Sequence, residues 1–242
     1  MASGAGQPGD MAGHYGRVEV AVTDSDVSGV ILPLADLARL SWTVAVEKQD
    51  WPGNSCNCFL APLDTDLALQ GFYGATGPDG RFTIDNIVPG RYSVSLRCRP
   101  DTLYVKSASL RDGTSVQDIV AKGIDIRDGL RGTVDVVLAQ SAWAVTGVVK
   151  DGEQPAPGAW VTLVPDPPAI EHTVQFRQTY AGPDGRFSIA GAAPGEYRLF
   201  AWRYLFVWEG LPATFWNRYR SQSAKVTIDG GGSVEVTAVL IR

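Results

Sequence analysis

The sequence predicts an all-β chain: two tandem β-sandwiches preceded by an extra N-terminal β-hairpin. Three observations carry this. Gly (27) and Pro (15) are plentiful, strand formers such as Val, Ile, Thr, Tyr and Trp are common, and long Ala/Leu/Glu/Lys stretches are absent. A turn-and-strand motif at position 77 recurs at position 182, an offset of 105 residues. A second pattern of paired alternating apolar runs occurs three times, once more than the first motif accounts for.

Bulk composition sets the frame. A chain of 242 residues exceeds the ~100–150 residues of a typical single domain, and the repeat decides for two. Hydrophobic residues at 45%, charged residues at 19% and a mean hydropathy of -0.02 describe a globular protein with ordinary solubility. No apolar run reaches the ~20 residues of a membrane helix, so no membrane span is expected. A formal charge of -5 and a pI near 5.0 leave no basic stripe to displace phosphate counterions, which speaks against nucleic acid as a partner. No basic segment followed by an apolar one opens the chain, so a signal peptide is not visible in it.

The elements follow in order. Residues 1–34 hold a Gly-rich tail and then the alternation Val18, Val20, Val22, a turn, and Val30, Leu32, Leu34. The same pattern recurs at 124–138 and 226–240. Residues 35–139 are the first expected sandwich and 140–242 the second, joined near 139–142 with little linker. In the first, Gly77-Pro78-Asp79-Gly80-Arg81-Phe82-Thr83-Ile84 precedes Pro89-Gly90-Arg91-Tyr92; in the second, Gly182-Pro183-Asp184-Gly185-Arg186-Phe187-Ser188-Ile189 precedes Pro194-Gly195-Glu196-Tyr197. Pro-Asp-Gly makes a turn, Phe-x-Ile alternates as a strand, and the next Pro-Gly turn leads to a Tyr strand, so a β-hairpin is expected in each half. The third, N-terminal copy of the closing pattern has no body of its own. A lone hairpin is marginal in water, so Val18, Val20, Val22, Val30, Leu32 and Leu34 are expected to pack on the first sandwich, to act as an assembly strand on a neighbouring copy, or to pack on a domain upstream of this sequence.

Residues with chemical potential are few. His14 and His172 are the only histidines and fall in unrelated positions, so no catalytic triad can be built from spacing. The acidic residues Asp24, Asp26, Asp79, Asp128, Asp184 and Asp229 sit in turns, where their side chains bond local backbone, and no calcium loop is present. No catalytic residue, metal site or cofactor is expected. Cys56 and Cys58 fall on one strand face, and Cys98 continues the alternation of Tyr92, Val94 and Leu96. A disulfide from Cys98 to either Cys58 or Cys56 would staple two strands, the other reading being buried free thiols. Trp202, Tyr204, Trp208, Phe215, Trp216 and Tyr219 form an aromatic stretch that either covers the core or presents rings to a glycan or surface protein.

The Gly-Pro-Asp-Gly-Arg-Phe-x-Ile and Pro-Gly-x-Tyr motifs, with Val145 to Val149 before the second copy, resemble the carboxypeptidase regulatory-like domain family. That family is prealbumin-like, similar to transthyretin and to repeats of Gram-positive adhesins. The resemblance implies immunoglobulin-like sandwiches, an accessory or structural role, no enzymatic activity, and an extracellular or cell-surface home. One departure is Trp42 where the second half has Gly147; another is the insertion-like stretch 99–120. Taken together, the expected function is a self-associating fibre or surface-layer subunit, a homo-oligomer assembled through its N-terminal strands. A binding module using the aromatic stretch, or an accessory domain of a larger exported protein, is the alternative.

Overall fold

The computed structural model describes residues 13–24, 26–51, 53, 56–63, 71–113, 115–169, 174–204, 211–230 and 232–242. Its first elements are two short strands, β1 (His14–Gly16) and β2 (Leu34–Asp36), paired antiparallel. Among the described residues between them none is in a strand: Val18, Val20, Val22, Val30 and Leu32 lie in irregular chain, and Leu34 alone of the six begins a strand. The N-terminal ladder therefore sits just outside the two runs whose alternation predicts a hairpin.

The next strands are β3 (Ala38–Val46), β4 (Cys56–Pro62), β5 (Phe72–Ala75), β6 (Arg81–Ile87), β7 (Gly90–Cys98), β8 (Leu103–Arg111), β9 (Val116–Asp118), β10 (Ile124–Ile126) and β11 (Arg131–Gln140). A single helical turn, α1 (Ile119–Lys122), is capped by Asp118, which accepts from the Val120 and Ala121 amides. Two sheets form, β10-β7-β4-β5 and β6-β3-β11-β8-β9. In β3 the buried positions alternate with outward ones, placing Leu40, Trp42 and Val44 in the core with Leu60, Tyr92, Val94, Val134 and Val136.

The C-terminal half runs through β12 (Ala144–Asp151), β13 (Gln154–Pro155), β14 (Trp160–Pro165), β15 (Arg177–Tyr180), β16 (Arg186–Ala190), β17 (Gly195–Trp202), α2 (Ala213–Arg218), β18 (Ala224–Ile228) and β19 (Val234–Ile241). One layer holds β13, β12, β16 and β19, the other β15, β14, β17 and β18, and the end of β19 reaches β17 at Ala201↔Leu240. In both halves the last strand lies parallel to the first: Val134 opposes Trp42 and Val236 opposes Gly147.

The repeated motif does not make the expected hairpins. β6 pairs with β3 while β7 pairs with β4 and β10; likewise β16 pairs with β12 and β17 with β14 and β18. The Pro-Gly turn is a corner that carries the chain from one sheet to the other. Its tyrosine explains why: Tyr92 Oη donates to Val88 O at 2.7 Å, and Tyr197 Oη donates to Ala193 O at 2.9 Å, tying each strand back across the corner. The closing pattern is also split, since β10 pairs with β7 while β11 lies between β3 and β8. Its two runs belong to different layers, so the N-terminal copy has no reason to close on itself. The Pro-Asp-Gly turns do behave as expected: Asp79 and Asp184 accept from the Arg81 and Arg186 amides, both at 3.1 Å. Gly80 and Gly185 adopt φ of 75° and 76° while their carbonyls accept from the Val44 and Val149 amides.

All recorded strand pairings fall within 14–140 or within 144–241. The halves nevertheless meet closely. Ser141 N donates to Thr102 O, Trp143, held within its own half by Nε1 donating to Ala192 O, packs on Tyr104, and Val174 is buried in the N-terminal core. Gly191 approaches so near that a Cβ there would stand 2.1 Å from Asp101 O.

Candidate functional site

Between β1 and β2 the chain displays Val18, Val20, Val22, Val27, Val30, Ile31 and Leu32, all exposed, with Leu34 next to them. Ile31 is 83% and Val22 75% exposed. Apolar side chains cluster this way nowhere else among the described residues, and contiguous exposed apolar surface marks interaction sites. The stretch 18–34 also carries Glu19, Asp24 and Asp26 and no Lys or Arg. Its anchor is the β1–β2 ladder, held by His14 Nδ1 to Asp36 Oδ1 (2.7 Å), Asp36 N to Asp128 Oδ1 (2.5 Å) and Leu37 N to Gly13 O (3.2 Å). His172, the other histidine, lies outside the described residues.

The cysteines are brought together as neighbours across β4 and β7. Cys56 stands opposite Cys98 and forms the disulfide; Cys58 is buried as a free thiol, and that burial pushes its pKa up.

The aromatic stretch is mostly packed inward. Trp202 and Trp216 are buried in a small core with Val164, Phe176, Phe200 and Ile241, and Phe215 and Tyr219 lie half-buried against it. Trp202 meets Tyr219 edge-on at 4.8 Å, and Phe200 meets Trp216 at 5.1 Å. Trp216 Nε1 donates to Leu211 O at 3.1 Å. Only Tyr204 of the described set is exposed, and Trp208 lies outside the described residues. The buried rings of Trp202 and Trp216, with Phe215 and Tyr219 against them, cover the outer face of β14 and β17.

A further feature comes from the junction of the halves. A cleft of about 910 Å³ opens between β4, β5 and β7 on one side and β14, β15 and β16 on the other. Aromatic rings line both walls: Phe59 and Tyr73 on one, Trp160 and Tyr180, edge-on at 5.3 Å, on the other. The Tyr73 hydroxyl is held by Asn57 Oδ1.

Two guanidinium groups face this space. Arg177 is 8% exposed; its Nε donates to Gly191 O at 2.6 Å and its Nη1 to Val174 O and Phe176 O at 3.0 and 2.9 Å. Those bonds fix the side chain at the junction and leave Nη2 with no partner among the described residues. Burial lowers its pKa to about 10, with Arg97 adding to the effect, so it keeps its charge at neutral pH. Arg97 keeps solvent access and makes no hydrogen bond or ion pair among the described residues. The cleft walls desolvate it and lower its pKa, and Asp101, the one carboxylate among the described lining residues, opposes that shift. Sequence reasoning missed this cleft because no motif links position 97 to position 177; only the packing of the two halves brings them together.

Among the described residues no group of three or more His, Cys, Asp or Glu is placed to hold a metal ion. No described helix is long and apolar enough to cross a membrane.

No family model matches the chain, and no curated protein matches it. Among solved structures it is similar to the TIE protein of Bacillus anthracis (12% identity, TM-score 0.31, covering 86% of this chain and 37% of that one). It is similar also to a minor pilin of Streptococcus agalactiae (14%, TM-score 0.26, covering 83% and 94%). A third is the major pilin subunit of Bacillus cereus (8%, TM-score 0.28, covering 84% and 98%). At these identities and TM-scores none of the three bears on what this chain does.

Proposed function

We propose that the chain is a non-enzymatic extracellular structural protein of two sandwich domains, 35–139 and 140–242, that associates with other copies of itself through residues 17–34. The observation that carries this reading is the exposed, alternating apolar segment between β1 and β2. Its pattern is that of the closing strands β10–β11 and β18–β19, all paired in a sandwich in this same chain, β11 and β19 each between two neighbours. A segment with strand-forming sequence and no strand partner is matched to a sheet edge elsewhere, and pairing with it buries the valines that now face water. The Cys56–Cys98 disulfide supports an oxidising compartment and so an exported protein.

Negative-stain electron microscopy tests the reading. Val22 and Ile31 touch no core, so V22K/I31K leaves the fold intact while placing two charges in the segment. The full chain is expected to form filaments or elongated oligomers that the double variant does not. Uniform single particles in both samples would refute self-association.

A further inference from the structure

We infer that the cleft between the two halves is the docking site for residues 17–34 of a second copy, which makes the assembly head to tail; this rests on the self-association reading above. Four observations converge. The segment is apolar and carries three carboxylates, Glu19, Asp24 and Asp26, against the one cation Arg17 at its start. The cleft is the complement: aromatic walls from Phe59, Tyr73, Trp160 and Tyr180, with the charges of Arg97 and Arg177 against one carboxylate, Asp101, among the described lining residues. A guanidinium nine-tenths buried, immobilised by three backbone carbonyls and still holding an unspent donor, is pre-organised to receive a carboxylate. Two wall strands, β5 and β15, are the last of their sheets among the described strands, the position at which a further strand adds.

Placement gives the direction. The β1–β2 ladder is fixed to residues 128 and 129, beside Ile126, which pairs with Gly90 at the start of β7. The cleft is lined by Leu96, Arg97 and Cys98 at the other end of that nine-residue strand. At about 3.3 Å per residue that strand spans roughly 26 Å, so the ladder that anchors the segment and the cleft lie toward opposite ends of β7. Different patches that complement each other from opposite ends make a heterologous contact, which repeats into an open chain or a ring rather than closing as a two-fold dimer.

The test is fluorescence anisotropy with a labelled 17–34 peptide titrated with the full-length protein at concentrations below those at which it self-associates. Binding is expected to saturate. Arg97→Glu should weaken it about tenfold or more. R97E trades the attraction of Asp101 for that of Arg177, and an unfolding temperature that matches the parent's excludes misfolding as the cause. A peptide with Glu19→Lys, Asp24→Lys and Asp26→Lys should bind the parent poorly and recover binding to R97E. If R97E binds the acidic peptide as well as the parent does, the segment docks elsewhere; the cleft assignment falls while self-association stands. If no peptide binds and yet V22K/I31K abolishes filaments, the cleft assignment falls again. If no filaments form and no peptide binds, both fall together.

Discussion

At the residue scale, stability rests on a few buried polar contacts whose loss is measurable. Asp166 accepts from Arg198 Nε at 3.0 Å and from Arg220 Nη1 and Nη2 at 2.6 and 2.8 Å, with its side chain 11% exposed. The Arg220 hydrogen bonds, helped by Arg198, hold its carboxyl below the usual carboxylate range against the opposing effect of burial. A depressed folded-state value means that the contribution is present above about pH 4, the unfolded value, and is lost as pH falls through the folded one. Asp166→Asn should therefore cost roughly 1–3 kcal/mol at pH 7, with the difference from the parent shrinking as urea titrations move to acid pH. Gly191 has φ of 66° and faces the Asp101 and Leu103 carbonyls. Gly191→Ala is expected to cost about 2 kcal/mol or more in thermal unfolding, because strain and steric overlap add.

At the element scale, the Cys56–Cys98 disulfide joins β4 to β7 across a sequence separation of 42. A loop of that size predicts a loss of roughly 3–4 kcal/mol in a Cys56→Ser/Cys98→Ser variant, read from the urea midpoint. Much of this level was legible in the chain. The offset of 105 residues paired Trp42 with Gly147, and the two do occupy matching registers, opposite Phe82 and Phe187; the Pro-Asp-Gly turns also form as expected. The reason for Trp42 against Gly147 needed coordinates: Trp42 stacks on Phe82 at 5.3 Å, whereas a Cβ at 147 would stand 1.8 Å from Val236 O. Alternation marks a strand and its buried face but not the layer it joins, and so the expected hairpins turned out to be corners between sheets. For the same reason 18–34 reads as a hairpin in sequence and is irregular in the fold. The aromatic stretch carried no period that could separate a packed cover from a displayed surface; burial alone separated them.

At the scale of the whole molecule, what sequence could not supply was the junction. Val174, Trp143 and Gly191 lock the halves together, and the cleft with Arg97 and Arg177 exists only because they do. A chain with an acidic apolar segment at one end of its N-terminal half and a cationic aromatic cleft at the other is built to extend. Association of this kind combines burial of exposed valines with charge attraction, and should weaken but persist at high salt. Sedimentation velocity over a concentration series at physiological salt tests the central claim most directly. The account predicts that the full chain forms progressively larger species as concentration rises, and that V22K/I31K stays monomeric throughout. A parent that remains a monomer at every concentration, or a variant that associates as strongly as the parent, would contradict it.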